Sequence, residues 1–194
     1  MKIGITGGIG SGKSYVCSII EKLGYPIFYS DKEAKWLMEN NLKLKHEITE
    51  LVGNGAYVEH SLNKNVIRNF IFNSEKNRKK LNDLVHPVVF NHFEIWSKQL
   101  KNNELIFNES ALLFETGSSK RFDKIILITA PTELKIERLT QRDNLSEQEV
   151  LKRINSQLSD KEKNSLADFV IENNEKDLLV PKIVTVLNQL KNGI

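Results

Sequence analysis

The order of predicted elements along the chain indicates an α/β fold: a three-layer α/β/α arrangement around a five-stranded parallel sheet. Three observations predict it. Five short segments favour strands, helical patterns fill the gaps between them, and a glycine-rich loop joins the first strand to the first helix. The predicted strands, whose continuous apolar runs suit burial on both faces, are Lys2–Thr6, Pro26–Ser30, Glu104–Glu109, Lys124–Thr129 and Asp168–Glu172.

The first helix is predicted over Lys13–Leu23. Apolar residues recur there at intervals of three or four, as at Val16, Ile19 and Ile20, and give the helix one buried stripe. Gly24 follows and is expected to end the helix, because glycine adopts the backbone conformation that commonly closes a helix C-terminus.

A helical insert is predicted between the second and third strands. Its helical patterns cover residues 32–51, 63–82 and 87–101, with lysine and asparagine on the polar positions. Pro87 follows His86, so we expect extended backbone at His86 and a helix that starts at Pro87.

Two more helices are predicted towards the end of the sequence. Ser146 and Glu149 have the spacing of a capping box, which marks a helix start, and the last helix is expected over Leu178–Leu190. The sequence contains no internal repeat and no obvious linker, so we expect residues 1–194 to form a single domain.

Composition excludes several classes of protein. The 194 residues contain 28 Lys and Arg against 25 Asp and Glu, and this net charge of +3 argues against a dedicated nucleic-acid-binding protein. The single cysteine, Cys17, excludes an internal disulfide and a multi-thiolate zinc site. No apolar stretch approaches the length of a membrane span, and the first residues do not resemble a signal peptide. We therefore expect a cytoplasmic protein that does not bind membranes.

Residues 7–14, GGIGSGKS, match the pattern G-x-x-x-x-G-K-[ST] between a predicted strand and a predicted helix. Glycines let backbone N–H groups converge on phosphate oxygens, and the helix N-terminus adds positive potential. Lys13 would reach the β- and γ-phosphates of a nucleotide, and the Ser14 hydroxyl would bind Mg²⁺. We call residues 7–14 the phosphate loop.

Two other nucleotide-binding classes fit the sequence poorly. A dinucleotide-binding turn, G-x-G-x-x-G, would need glycine at Lys13 when counted from Gly8, and at Ile9 when counted from Gly7. A GTPase is disfavoured because neither N-K-x-D nor D-x-x-G occurs in the sequence.

Two carboxylates follow predicted strands. Asp31 ends the second strand and Glu109 ends the third, and ligands of open α/β sheets bind outside the carboxyl ends of the strands. We interpret Asp31 as the base that receives a hydroxyl proton and Glu109 as an indirect, water-mediated partner of Mg²⁺. The alternatives stay open: Asp31 as a helix N-cap and Glu109 as a solvent-exposed strand end.

Arginine is scarce and clustered. Three of the six arginines, Arg138, Arg142 and Arg153, lie within 16 residues, and guanidinium groups bind phosphate oxygens in a geometry that lysine lacks. The clustering indicates a phosphate-facing segment, and the alternative is a solvated helix in which Glu137 and Asp143 are the partners.

Taken together, the motifs resemble those of the dephospho-CoA kinase family across nearly the whole chain. The matching segments are TGGIGSGKS at 6–14, SDKEAK at 30–35, LVHP at 84–87, LLFE at 112–115, ERLTQRD at 137–143, RINSQ at 153–157 and ADFVIENN at 167–174. The resemblance implies a P-loop kinase of the nucleoside-monophosphate-kinase type. Such a kinase phosphorylates the ribose 3′-hydroxyl of dephospho-CoA with ATP and Mg²⁺, the last step of coenzyme A synthesis.

The resemblance also implies a division of the chain and a set of site residues. The core would comprise residues 1–31, 103–137 and 159–194, with an acceptor-binding region at 32–102 and a mobile lid at 138–158. The implied catalytic residues are Asp31, Lys13 and Arg142, and the implied acceptor-binding residues are Thr6, Asp31, His86 and Glu115. The residues implied to bind ATP are Gly8, Gly10, Ser11, Gly12, Lys13, Ser14, Tyr15, Arg138, Arg142 and Asn173. Mg²⁺ would be bound by Ser14 and, indirectly through water, by Glu109.

The sequence departs from the family pattern at four positions. Tyr29 replaces the first acid of a D-A-D segment, Tyr15 replaces threonine, Ala111 replaces proline, and Glu109 stands where aspartate is common. Two alternative functions remain: a kinase for another small alcohol, such as a nucleoside or a shikimate-like acceptor, and a nucleotide-binding module without catalysis. A monomer or a small homo-oligomer is expected.

Overall fold

The computed structural model describes residues 1–72, 74–100 and 102–193. The chain divides into two compact units, one formed by Met1–Phe28 with Leu100–Ile194 and the other by Tyr29–Gln99. Each unit is described below by itself, as the first unit and the second unit. The predicted single-domain organisation, with its boundaries at 31/32 and 102/103, stays a prediction.

The helices and strands follow one another in the order that an α/β fold requires. Up to the end of the second unit they are β1 (Lys2–Thr6), α1 (Lys13–Lys22), β2 (Ile27–Tyr29), α2 (Ser30–Asn40), α3 (Leu42–Val52), β3 (Tyr57–Val58), β4 (Ser61–Leu62), α4 (Lys64–Phe72) and α5 (Glu75–Gln99). The remainder are β5 (Ile106–Glu109), β6 (Lys124–Thr129), α6 (Thr132–Asp143), α7 (Glu147–Asn155), α8 (Asp160–Asn164), β7 (Phe169–Glu172) and α9 (Leu179–Lys191).

The main sheet has the strand order β2-β5-β1-β6-β7 within the described residues, which confirms the predicted five-stranded parallel sheet. Strand β1 pairs with β5 and β6 in parallel, and β6 pairs with β7 in parallel. Burial on both faces is confirmed for the central strands, where Ile3, Ile5 and Ile126 are fully buried. It is wrong for β7, where Val170 is exposed, because β7 is an edge strand.

In the second unit, helix α5 runs from Glu75 to Gln99 and contains Pro87 in its interior. The predicted helix start at Pro87 is therefore wrong. Proline removes one backbone hydrogen bond from a helix, but apolar packing offsets that loss here. Buried residues recur every fourth position along α5, and they are Leu81, Val85, Val89, Phe93 and Ser97.

Local capping explains where several helices begin. The predicted single helical pattern over residues 32–51 is divided at Asn41, whose side chain accepts a hydrogen bond from the Leu44 N–H and starts α3. The capping box of Ser146 and Glu149 is confirmed at the start of α7. Within the described part of the chain, none of the helices has the length and hydropathy that crossing a membrane requires.

Candidate active site

The phosphate loop lies where the sequence predicts it, between β1 and α1. The Ser11 N–H donates a hydrogen bond of 3.2 Å to the carbonyl of Gly8, so residues 8–11 form a turn. Gly10, the third residue of that turn, has φ 79°, a value that favours glycine. The loop is thus a tight turn that leads directly into the N-terminus of a helix.

Two glycines of the phosphate loop bring it close to neighbouring backbone and side chains. A Cβ at Gly7 would collide with the backbone carbonyl of Ile128 on β6. At Gly12, where φ is 86°, a Cβ would collide with the side-chain amide of Asn173. These close approaches explain why the loop needs glycine at both positions.

Lys13 and Glu109 come together at the carboxyl edge of the sheet. Glu109 ends β5, pairs in register with Ile5 of β1, and is only 6% exposed. Its Oε1 lies 3.8 Å from Nζ of Lys13. The interpretation of Glu109 as a solvent-exposed strand end is therefore wrong, because the neighbouring strand and loop cover it.

The donors near the phosphate loop fit a magnesium ion that is held largely by phosphate and water. Ser14 is the second residue of α1, and its hydroxyl and the Glu109 carboxylate are the hard oxygen donors that Mg²⁺ prefers. Among the residues that the structure describes, no cluster of three or more His, Cys, Asp and Glu could hold a metal ion. Magnesium in phosphoryl-transfer sites commonly uses one or two protein groups, so such a cluster is not required.

Side chains from two other segments hold the carbonyls of the phosphate loop. Arg138 of α6 donates to the Gly10 carbonyl at 3.0 Å, and Asn173, which follows β7, donates to the Ser11 carbonyl at 3.0 Å. Arg138 is itself held by Glu175, which accepts two hydrogen bonds from its guanidinium. The Gly10 and Ser11 carbonyls of the loop are thus both held by side chains from other segments.

The remaining residues predicted around the loop differ in accessibility. Ser11 is fully buried, and its Oγ has no hydrogen-bond partner among the described residues. Thr6 is also buried and donates at 3.4 Å to the carbonyl of Ala111. Tyr15 is 62% exposed. Their roles in ligand binding stay predictions.

Arg142 lies at the end of α6 with its side chain 64% exposed. It donates two hydrogen bonds to Asp143, at 2.7 and 2.9 Å, and Arg153 lies 3.4 Å from the same carboxylate. The hydrogen bonds from Arg142 lower the pKa of Asp143 and raise the pKa of the Arg142 guanidinium. In this structure Arg142 is therefore held by its own helix.

Asp31 and His86 are neighbours in the second unit. Asp31 is exposed in the first turn of α2, whose N-cap is Tyr29 and not Asp31, so the N-cap alternative for Asp31 is wrong. His86 lies half-buried on α5. Burial lowers the pKa of His86 below its usual value of 6.5, although the charges of Asp83 and Asp31 oppose that shift. Burial therefore favours the neutral form of the His86 imidazole.

Glu115 has partners within the first unit. Its Oε1 lies 2.8 Å from Nζ of Lys163, a fully buried lysine, and accepts a hydrogen bond of 3.3 Å from the Leu158 N–H. The role of Glu115 in acceptor binding stays a prediction, and these contacts give it a structural role as well.

Sequence reasoning missed three side chains that contact or border the phosphate loop from outside. Gln157 accepts a hydrogen bond of 2.9 Å from the Ile9 N–H, and Lys135 pairs with Asp160 close to Gly8. The segment RINSQ at 153–157 contains Gln157, but nothing in its spacing indicates a partner 148 residues away.

Comparisons with known proteins show the family of the chain. The family model for dephospho-CoA kinase matches residues 1–178. A dephospho-CoA kinase of Bacteroides fragilis strain YCH46 is 39% identical over 187 residues, which cover 96% of this chain and 91% of the relative. The crystal structure of TT1252 from Thermus thermophilus superposes with a TM-score of 0.81 at 32% identity, covering 100% of this chain and 97% of that chain. The dephospho-CoA kinase from Campylobacter jejuni superposes with a TM-score of 0.72 at 29% identity, covering 100% of this chain and 99% of that chain. The chain therefore belongs to the dephospho-CoA kinase family.

Proposed function

We propose that this chain transfers the γ-phosphoryl group of ATP to the ribose 3′-hydroxyl of dephospho-CoA, giving coenzyme A and ADP. The observation that carries the proposal is the phosphate loop, with Lys13 beside Glu109 and the Gly10 and Ser11 carbonyls held on its outer side. Such a loop presents N–H groups and one ammonium to a triphosphate, which is the donor in this reaction.

ATP binding is assigned to the first unit. The N–H groups of the loop and the N-terminus of α1 would hold the phosphates, and Lys13 would balance the charge that develops as the γ-phosphoryl group leaves. Arg138 and Asn173 keep the loop in shape and border the region expected for the adenosine part of ATP. The other contacts to ATP that the family resemblance implies are those of Gly8, Gly10, Ser11, Gly12 and Tyr15.

Acceptor activation is assigned to Asp31. Its carboxylate would accept the proton of the 3′-hydroxyl as the hydroxyl attacks the γ-phosphorus, and it would orient that hydroxyl in line with the leaving ADP. A neutral His86 beside it supports this role, because a hydrogen bond from the imidazole to the acceptor adds no positive charge that would weaken the base. Thr6 and Glu115 are proposed as further acceptor contacts.

Arg142 is assigned to a lid over the transferring phosphate, proposed for residues 138–158. Its exposed guanidinium would leave Asp143 and bind the γ-phosphate when the lid closes. Closure would also exclude water, which competes with the acceptor hydroxyl for the phosphoryl group.

Ser14 and Glu109 are the residues that would hold Mg²⁺, Ser14 by its hydroxyl and Glu109 through bound water. When bound, the ion neutralises charge on the β- and γ-phosphates. We further propose that the protein acts in the cytoplasm as a monomer or small homo-oligomer, without nucleic acid or membrane partners.

The test is ADP release measured by a coupled assay, with MgATP alone and with each candidate acceptor. We expect ADP release that depends on dephospho-CoA, and little with shikimate or nucleosides. Faster turnover with a nucleoside or shikimate would assign another small-alcohol kinase. MgATP binding without ADP release under any condition would assign a non-catalytic binding module.

A further inference from the structure

The turn at the start of the phosphate loop is held by side chains on both sides. In the turn formed by residues 8–11, the hydrogen bond between Ser11 and Gly8 leaves the Ile9 N–H without a partner inside the turn. Oε1 of Gln157 accepts a hydrogen bond of 2.9 Å from the Ile9 N–H, and the Arg138 guanidinium donates a hydrogen bond to the Gly10 carbonyl. A single glutamine oxygen therefore fixes the first half of the loop.

Gln157 stands beside a second polar contact at the same place. Lys135, of which 4% is exposed, pairs with Asp160 three residues beyond Gln157. A Cβ built at Gly8 would lie 3.4 Å from Oδ1 of Asp160, 3.5 Å from Nζ of Lys135 and 3.7 Å from Oε1 of Gln157. The three polar groups thus converge on the outer surface of the phosphate loop at Gly8.

A third contact anchors the segment that contains Gln157 and Asp160. Lys163 is fully buried and pairs with Glu115 at 2.8 Å, and the Leu158 N–H also donates to Glu115. We call residues 157–163 the clasp. Its partners lie in the phosphate loop, in α6 and in the segment after β5, so the clasp is bound to the core of the first unit at three points.

A cavity of about 470 Å³ borders both the clasp and the phosphate loop. Leu151 and Ile154 of α7 line it together with Gly8 and Ile9. Gln157 also lines this cavity, and its side chain accepts the hydrogen bond from the Ile9 N–H.

We propose that Gln157 is a positioning residue for nucleotide binding: it keeps the Ile9 N–H turned outward and so fixes the loop in the shape that receives the phosphates of ATP. This inference rests on the proposed use of ATP but not on the identity of the acceptor. Gln157 acts through the backbone of the loop. It lies at the end of the proposed lid, next to the point where Asp160 and Lys163 anchor the clasp to the first unit.

The test is the dissociation constant for MgATP, measured by calorimetry on the full chain without acceptor. Gln157→Met keeps the size of the side chain but lacks the oxygen, and we expect it to weaken MgATP binding about tenfold, the effect of one lost hydrogen bond to a partly buried N–H. Gln157→Glu keeps an acceptor oxygen for the Ile9 N–H but adds a negative charge near Asp160. At high ionic strength, which screens that charge, we expect its affinity to be closer to that of the wild type than the affinity of Gln157→Met is. Gln189→Met, at an exposed position on α9 and outside the proposed site, is the matched control and should bind as the wild type does.

Steady-state kinetics separate positioning from a merely structural role. Gln157→Met should raise the KM for MgATP and leave the KM for dephospho-CoA unchanged. Wild-type affinity in Gln157→Met, or an equal loss in the Met and Glu variants, would overturn the proposal. If the wild type binds MgATP but does not phosphorylate dephospho-CoA, the proposed function fails while the calorimetric result still decides the role of Gln157.

Discussion

The ammonium of Lys13 lies 3.8 Å from Oε1 of Glu109, and the two side chains are 11% and 9% exposed. A cation and an anion are thus held together, nearly out of solvent, where the phosphate loop meets the carboxyl edge of the sheet. In the proposed mechanism, the lysine would bind phosphate and the carboxylate would contact the hydration shell of the metal ion.

Replacing Glu109 by Gln should raise the magnesium requirement of the reaction. The amide keeps the shape of the side chain but loses the charge that would attract a hydrated cation. We expect the Mg²⁺ concentration for half-maximal activity to rise about 10-fold or more, as is typical when an outer partner of a metal is lost. A magnesium titration of initial rates checks this, and an unchanged titration curve would exclude Glu109 from the metal site.

Asp31→Asn should fold normally and lose most of its turnover. Asp31 is exposed in the first turn of α2, so its removal costs little packing. Loss of a general base typically lowers kcat by about 10²–10⁴-fold. Glu33→Gln, in the same helical turn, is the matched control and should retain activity. A near wild-type rate for Asp31→Asn would show that this carboxylate is only a helix-start residue.

Arg142→Ala should lower kcat far more than it weakens ATP binding. An arginine that binds the transferring phosphate can contribute about 10³-fold or more to kcat. Its ion pair with Asp143 is exposed, so the variant should keep the Tm of the wild type. Equal losses in kcat and in ATP affinity would contradict the lid assignment, and Arg153→Ala serves as a comparison at the other partner of Asp143.

Two alanine substitutions in the phosphate loop should differ sharply in stability. Gly12→Ala combines a positive φ of 86° with a collision against Asn173. We expect a cost of about 2 kcal/mol or more, which lowers Tm by roughly 4–8 °C for a chain of this size. Gly8→Ala meets only atoms at 3.4 Å and beyond, so its Tm should stay close to that of the wild type. Thermal unfolding of both variants without nucleotide checks this, and equal Tm values would contradict it.

His86 should make the folded chain less stable in mild acid. Burial lowers its pKa, so below the unfolded value of 6.5 the unfolded chain binds a proton more readily than the folded chain does. Both states are neutral above that pH, and stability falls as the pH drops through 6.5 towards the folded pKa. His86→Gln removes this loss. The Tm of the variant should therefore rise relative to that of the wild type as the pH is lowered from about 7.5 to about 5.5. A Tm difference that does not vary with pH would contradict the assignment.

Local sequence signals predicted the features that depend on neighbouring residues. The phosphate loop, the β6 strand at Lys124–Thr129 and the capping box at Ser146 all follow from short patterns. Pro87 misled the prediction of α5, because its cost is local, whereas the apolar stripe that offsets it spans the whole helix.

Contacts between distant residues could not be predicted from one sequence. Asn173 and Ser11 are 162 positions apart, and Gln157 and Ile9 are 148 apart. Periodicity places each of these residues on its own element but does not say which elements pack together. The glycine at position 12 appeared as part of a motif, and only the fold reveals that the Asn173 amide occupies the space of its missing Cβ.

The position of the transferred phosphate tests the central claim most directly. The protein is incubated with MgATP and dephospho-CoA, and the product is examined by phosphorus NMR for coupling between the new phosphate and a ribose proton. We expect one new phosphomonoester coupled to the proton on C3′, formed in equal amount with ADP. A new phosphate at any other position, or ADP formed without a phosphorylated acceptor, would contradict it.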